Sequence, residues 1–251
     1  MGRWEIVPIR TRSQLISTVI VLAAVGTVLD SVLTPGFTAG VWFGLIFMIS
    51  PLTGIILGPY AGFLSVLISI LIGHSVMFRE TVYEFLFAIG APIGAAMSGL
   101  LFRGRWKPVF LYYTGALAAF LLTPVSWQLP LWGIWDCLLA YLAIVPAAAI
   151  IGRWTAEPLD LKRLPIVLAL CALIGLEADV LFRIFVFVPC QTYRLFYGFT
   201  PEVLRVIWIT TAPTITPAKV AVSAFFTSSI GASLAKAMAG RARPMSGGHE
   251  A

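Results

Sequence analysis

Long apolar runs separated by short polar segments dominate this chain. A run of roughly 17–25 apolar residues can cross about 30 Å of bilayer hydrocarbon as an α-helix. Eight such runs occur, at residues 13–33, 39–57, 60–78, 83–102, 109–126, 131–152, 164–188 and 206–238. Pro213 and Pro217 interrupt the eighth, so an alternative division gives a short outer segment, 203–212, and a span from Pro217 to Met238. The pattern predicts an all-α, polytopic transmembrane helix bundle of about six to eight spans.

These runs leave little of the chain outside the bundle. We expect a cytoplasmic N-terminal segment (1–12), a single transmembrane helical domain (13–238) and a disordered cytoplasmic tail (239–251). The basic N-terminal segment leads into an apolar run, as in a signal peptide. That run is long, and no A-x-A-like cleavage site follows it, so we interpret it as a retained helix.

Composition supports the same fold class. Hydrophobic residues make up 59% of the chain and charged residues 11%, whereas soluble domains carry about 25% charged residues. The net charge of +6 does not indicate nucleic-acid binding, because the bases flank the apolar runs as membrane topology requires. We therefore predict a multi-pass protein of the cell membrane that contacts lipid and binds no nucleic acid.

The distribution of the bases predicts the orientation. Alternating the eight runs from a cytoplasmic N-terminus places 12 of the 17 bases inside. These inner bases are Arg3, Arg10, Arg12, Arg103, Arg105, Lys107, Arg153, Lys162, Arg163, Lys236, Arg241 and Arg243. The remaining five lie outside or in the outer half and are Arg79, Arg183, Arg194, Arg205 and Lys219. Both termini are therefore expected in the cytoplasm.

Three charged residues occur inside the seventh run, where each costs about 2.5–3.5 kcal/mol at a helix centre. Asp179 and Arg183 are four residues apart, share a helix face and can pair. Glu177 lies about 200° round the helix from Asp179 and needs another partner, for which Lys219 is the nearest basic candidate in sequence. Both an ion-paired network that holds helices together and a substrate or coupling site remain open here.

Other polar and aromatic residues concentrate toward the predicted outer side. The polar ones are His74, Glu80, Glu84, Asp136 and Arg205, and the aromatic ones are Trp127, Trp132, Trp135, Tyr193, Phe196, Tyr197 and Trp208. The polar groups indicate a water-accessible vestibule, and the aromatics form either an interfacial belt or a wall for a flat ligand. The predicted ligand-binding residues are Glu177, Asp179, Arg183, His74, Trp132, Tyr193, Arg205 and Lys219.

Small residues recur at every fourth position in the fourth run, as Gly90-xxx-Gly94-xxx-Ser98 and Ala91-xxx-Ala95-xxx-Gly99. Such faces let helices approach closely. We expect them to serve packing within the bundle rather than docking of a partner.

Cysteine spacing and motif searches give no support for metal binding or catalysis. Cys137, Cys171 and Cys190 form no CxxC or Cys/His cluster, so we predict no metal site. Cys137 and Cys190 both map to the outer side, where a disulfide between them is an open alternative. No P-loop, H-E-x-x-H or G-x-S-x-G motif is present. We expect neither a cofactor nor enzymatic activity.

The stretch from Phe43 to Arg105 has a recognisable arrangement. Ile49-Ser50-Pro51 leads to Leu57-Gly58-Pro59-Tyr60-Ala61-Gly62, then to an apolar helix and a glycine-rich helix that ends in Arg103-Gly104-Arg105. This arrangement resembles the S components, the membrane-embedded substrate-binding subunits of energy-coupling factor (ECF) transporters. Pro217 to Met238 also resembles their closing helix, which runs into a basic cytoplasmic tail.

The resemblance implies a high-affinity binding subunit for uptake of a vitamin-like micronutrient, open to the outside. A separate transmembrane scaffold and two ATPase subunits would be its partners, and the missing P-loop agrees with energy that comes from them. The alternative is a self-sufficient secondary transporter in which the intramembrane charges couple a proton or ion. Such transporters normally show matching halves, and no convincing internal repeat is present. An intramembrane enzyme is a third, less supported hypothesis.

Overall fold

The fold is a bundle of α-helices. The computed structural model describes residues 6–9, 11–31, 44–78, 82–155, 161–210 and 212–241, and no β-strand occurs in these ranges. The α-helices are α1 (Arg12–Ser31), α2 (Ser50–Leu57), α3 (Pro59–Val76), α4 (Val82–Ala88), α5 (Gly90–Phe102), α6 (Trp106–Leu122), α7 (Trp135–Thr155), α8 (Leu164–Phe187), α9 (Thr192–Leu195), α10 (Pro201–Thr210) and α11 (Ala212–Arg241). Short 3₁₀ helices cover Leu45–Met48, Pro124–Gln128 and Leu131–Ile134.

Within the described ranges, six helices are long and apolar enough to cross a membrane. They are Arg12–Ser31, Pro59–Val76, Val82–Phe102, Leu131–Trp154, Leu164–Phe187 and Ala212–Met238. Here α4 and α5 join into one span, and the 3₁₀ turn before α7 extends that helix. The chain is a multi-pass membrane protein, and the predicted polytopic bundle is confirmed.

Two of the eight predicted runs form shorter helices. The fifth run gives α6, whose 17 residues stand at the lower end of the range for a spanning helix. The second run, described from Gly44, gives one 3₁₀ turn and the eight-residue α2. Its first five residues, 39–43, lie outside the described ranges.

The eighth run is divided into two helices. A continuous helix over 206–238 is wrong, and the alternative of a short outer segment followed by a span is confirmed by α10 and α11. Pro213 lies in the first turn of α11. Backbone N–H groups in this turn have no intrahelical partner, so the missing N–H of proline costs no hydrogen bond. The helix therefore begins before Pro217, and it continues past Met238 to Arg241. The rest of the predicted tail, 242–251, lies outside the described residues.

A tight turn joins α2 to α3 as an antiparallel hairpin. Gly58 has a φ of 85°, a left-handed conformation that glycine adopts without a steric penalty. A Cβ placed on Gly62 would lie 2.6 Å from Gly54 Cα, so the two helices touch backbone to backbone. The Arg103 guanidinium donates to the Leu57 carbonyl oxygen at 3.4 Å and satisfies the end of α2. We call this the inner end, because its bases are those predicted in the cytoplasm, and the opposite end the outer end.

Central in the bundle is α8, which packs against α5, α11, α7 and α6. Gly94 of α5 meets Gly175 of α8 so closely that a Cβ on Gly175 would lie 2.8 Å from the Gly94 carbonyl oxygen. On the neighbouring face of α5, Gly99 lies against Gly54 of α2. Both small-residue faces of α5 are therefore used within the chain, which confirms the expected intramolecular packing.

Candidate solute-binding cavity

A cavity lies at the outer end of the bundle, and its volume is about 80 Å³. Its lining comes from α1, α3, α4, α5, α7, α8, α10 and α11, together with the 3₁₀ turns before α2 and α7. Its polar lining residues are Asp30, His74, Asp136, Asp179, Arg183, Thr216 and Lys219. Aromatic residues of the lining are Phe47, Phe187 and Trp208. A water molecule needs about 10–15 Å³ of such volume. The cavity therefore has room for several waters or for a compact polar group of a solute.

An ion pair on α8 forms one wall of the cavity. Arg183 donates through Nε to Asp179 Oδ1 at 2.6 Å and through Nη2 to Oδ2 at 3.3 Å. The predicted i,i+4 pair is confirmed, and its geometry is the bidentate, charge-assisted kind. Gly90 of α5 makes room for it, since a Cβ there would lie 3.0 Å from the Asp179 carbonyl oxygen and would overlap Oδ1.

Lys219 brings a second positive charge to the same cavity from α11. Its ammonium nitrogen lies 5.8 Å from the centroid of the Phe47 ring, within the range of a cation–π interaction. The cavity thus has two cations, a guanidinium and an ammonium, on two different helices.

Glu177 lies on a different side of α8 and does not line the cavity. The Cys137 thiol of α7 donates to Glu177 Oε2 at 3.3 Å. The structure therefore places Cys137 against Glu177, where the sequence suggested Lys219. This follows from the helical rotation between Glu177 and Asp179, which sends the two carboxylates toward different neighbours.

His74 lies between two carboxylates at the outer end of α3. Its Nδ1 is 2.8 Å from Asp30 Oδ2, and its Nε2 is 3.8 Å from Glu84 Oε2, too long for a hydrogen bond. Phe85 stacks on the imidazole with ring centroids 5.5 Å apart. His74 is therefore a hydrogen-bonded bundle residue and a lining residue of the cavity at once.

Around the cavity, three buried polar atoms have no hydrogen-bond partner among the described residues. They are His74 Nε2, Asp136 Oδ2 and Trp208 Nε1, and all three side chains line the cavity. Buried polar atoms in native proteins are nearly always hydrogen-bonded to protein or water. A polar solute in this cavity would therefore meet an acceptor, a donor and an imidazole nitrogen.

The remaining predicted site residues lie outside this cavity. Trp132 is 51% exposed in the 3₁₀ turn before α7, and Arg205 is exposed on α10. Tyr193 is buried and meets Phe187 edge-on, with centroids 6.1 Å apart, so it supports the cavity wall from behind. Glu80, another polar residue of the predicted vestibule, lies outside the described residues.

The aromatic residues divide between the two predicted roles. Trp127 and Trp135 are exposed, as an interfacial belt requires. Trp208 instead lines the cavity and stacks on Phe120, with centroids 5.8 Å apart and an interplanar angle of 8°. Outside the spans, burial and then the nearby Glu84 raise the pKa of Tyr197 to about 12, so its hydroxyl stays a neutral donor.

Sequence reasoning missed Asp30, which lines the cavity, and the contact that Cys137 makes with Glu177 beside it. Asp30 lies inside the first apolar run, where its charge in an otherwise apolar segment was an available signal. From the sequence, Cys137 is a candidate only for a disulfide. In the structure all three cysteines are free, with Cys137 buried and Cys190 exposed. The open alternative of a Cys137–Cys190 disulfide is therefore not realised.

The functional interpretation rests on the chemistry of this cavity and its surroundings. No protein-family model, curated protein or solved structure matches this chain.

Proposed function

We propose that this protein is a solute-binding subunit of the cell membrane, of the S-component type, for uptake of a small, polar, vitamin-like micronutrient. It works with a separate transmembrane scaffold and ATPase subunits. The observation that carries the proposal is the outer cavity, with its ion pair, its second cation and three buried polar atoms that have no hydrogen-bond partner in the described part of the chain. Buried ionisable groups are costly in a membrane and are kept where they bind or couple a solute.

The lining indicates the chemistry of the solute. Arg183 and Lys219 supply positive charge for an acidic group such as a carboxylate or phosphate. Asp30 supplies an acceptor for N–H or O–H groups of the same molecule. The Trp208 indole adds an apolar surface and one donor. A small acid that also carries hydrogen-bond donors fits this set.

The position of the cavity supports uptake rather than export. The cavity is at the end of the bundle that the distribution of bases predicts to face outward. At the inner end, the turn at Gly58 is packed against Gly99 of α5 and the Arg103 side chain. A solute therefore has a site near the outside and a close-packed barrier beneath it.

Purification in mild detergent tests the proposal. Mass spectrometry of the purified protein should find a small polar solute, together with one integral membrane protein and an ATPase. Uptake should then require all components and ATP in reconstituted vesicles. If vesicles that contain this chain alone accumulate the solute without ATP, the partner-dependent mechanism is wrong.

A second candidate function is proton-coupled secondary transport, and the Asp30–His74–Glu84 group favours it. The imidazole lies between two buried carboxylates beside the cavity, and rows of such side chains serve as proton relays in membrane transporters. In the same vesicles, an imposed proton gradient should then drive uptake by the chain alone, and His74→Gln should abolish the response to the gradient.

A further inference from the structure

Asp136, Cys137 and Glu177 form a buried cluster next to the cavity. A carboxylate oxygen from each acid and the Cys137 Sγ lie within 4.8 Å of one another. The three residues are only 0–6% exposed. Asp136 also lines the cavity, so an ion that enters the cavity reaches the cluster through this side chain.

We propose that this cluster binds a thiophilic divalent cation of the Zn²⁺ class, with Asp136, Cys137 and Glu177 as its ligands. The site joins the N-terminus of α7 to the middle of α8. It goes beyond the proposed transport function, since it requires no particular solute and no partner subunit.

Charge is the first reason for the site. Two carboxylates and a thiol lie together in a buried region, where like charges repel and each ionised group is costly. A bound divalent cation offsets both the repulsion between the carboxylates and the cost of burying their charges. The first turn of α7 contributes as well, because the helix N-terminus favours negative charge on Asp136 and Cys137.

A second observation points to a ligand at the same place. Asp136 Oδ1 accepts a hydrogen bond from the Cys137 backbone N–H at 2.9 Å. The other oxygen, Oδ2, has no hydrogen-bond partner among the described residues, although the side chain is 6% exposed. A carboxylate fixed through one oxygen with the other left over is the arrangement that a metal ligand needs.

The distances are close to those of a coordinated ion. Zn²⁺ binds oxygen at about 2.0–2.2 Å and sulfur at about 2.3 Å, which places tetrahedral ligands about 3.3–3.8 Å apart. The Cys137 Sγ to Glu177 Oε2 distance is already 3.3 Å. The widest separation in the cluster is within 4.8 Å, so closure needs a movement of roughly 1 Å at most.

The ligand set selects the class of cation. A thiolate prefers Zn²⁺, Co²⁺ or Cd²⁺, whereas Mg²⁺ and Ca²⁺ prefer sites made of oxygen alone. Three protein ligands leave a fourth tetrahedral position open. A water or a donor atom of a solute can occupy it.

Titration of the purified full-length protein with Co²⁺ tests the site, because a cobalt–thiolate bond gives an intense charge-transfer absorption. The expected result is a single Co²⁺ ion per chain with this band, displaced by Zn²⁺ but not by excess Mg²⁺. Cys137→Ser should abolish the band. Cys171→Ser, which removes a buried thiol of α8 outside the cluster, should keep it.

The carboxylate ligands are tested by Asp136→Asn and Glu177→Gln, each of which should weaken Co²⁺ binding at least about tenfold. Zn²⁺ should also raise the melting temperature of the wild type and not that of Cys137→Ser. If Cys137→Ser does not fold, the Co²⁺ affinities of the two carboxylate variants decide whether the cluster is the metal site. The proposal is overturned if folded wild-type protein shows no band, if Mg²⁺ competes equally, or if the carboxylate variants keep wild-type affinity.

Discussion

Asp30 and His74 are 44 residues apart in sequence, yet Asp30 Oδ2 lies 2.8 Å from His74 Nδ1. The contact joins the outer ends of α1 and α3 beside the cavity. Deeper in the bundle, the Ser65 hydroxyl of α3 donates to the Val19 carbonyl of α1 at 3.0 Å. The Ser69 hydroxyl of α3 also donates to the Ala23 carbonyl of α1 at 3.0 Å, so polar contacts join the two helices at several depths. Of the residues in these contacts, Asp30 and His74 line the cavity.

This difference gives a matched pair of variants. Asp30→Asn removes the negative charge beside His74 and should weaken binding of the co-purified solute by about ten- to hundred-fold, the equivalent of one charge-assisted hydrogen bond. Ser65→Ala removes a hydrogen bond between the same helices and should lower the melting temperature without changing affinity. Equal affinities for the two variants would place Asp30 outside the binding site.

The Asp179–Arg183 pair should be energetically coupled. Replacement of Asp179 by Leu or of Arg183 by Met leaves one buried charge without its partner, which should cost about 3–5 kcal/mol. The double variant should recover much of that loss, because neither charge remains. Thermal unfolding in detergent for the four proteins of this cycle measures the coupling. Effects that simply add would mean that the side chains do not interact.

Gly90 should be intolerant of a methyl group. Gly90→Ala pushes on Asp179, so it should lower both the melting temperature and the affinity for solute. Gly115, in the middle of α6, has no atom within 4 Å of an added Cβ, and Gly115→Ala is the control. Because alanine has a higher helix propensity than glycine, Gly115→Ala should be neutral or more stable than the wild type by up to about 1 kcal/mol. The same loss of stability in both variants would argue against a close Gly90–Asp179 contact.

The orientation can be read with an impermeant thiol reagent in intact cells. The exposed native Cys190 should be labelled, whereas buried Cys137 and Cys171 should not. After replacement of the native cysteines, a reporter at Gln128 should be labelled and reporters at Gly104 and Thr155 should be shielded. Labelling at Gly104 from the outside would show that the true topology is the inverse of the predicted one, with the cavity at the cytoplasmic face.

Local features of this fold were predictable, and contacts between distant helices were not. The Asp179–Arg183 pair follows from a spacing of four within one helix, and the small-residue faces of α5 follow from a spacing of the same kind. The Cys137–Glu177 contact joins residues 40 apart on different helices. No periodicity in either segment specifies such a partner.

The sequence also does not predict which of two similar side chains is exposed and which is buried. Trp132 and Trp208 both occur in outer aromatic segments, and their immediate neighbours do not distinguish them. The structure turns Trp208 into the cavity because Gly133 leaves space for its ring, whereas Trp132 remains half exposed. Which aromatic faces inward depends on how the 3₁₀ turn before α7 meets α10, a tertiary relationship.

The most direct measurement of the central claim compares two lysines of α11 by native mass spectrometry of protein purified in mild detergent. Lys219 lines the cavity, and Lys236 is exposed toward the other end of the same helix. We expect Lys236→Met to release the same small polar solute as the wild type, and Lys219→Met to carry little or none. Equal solute occupancy in both variants, or lipid as the only molecule released from the wild type, would contradict the assignment of this cavity as the solute site.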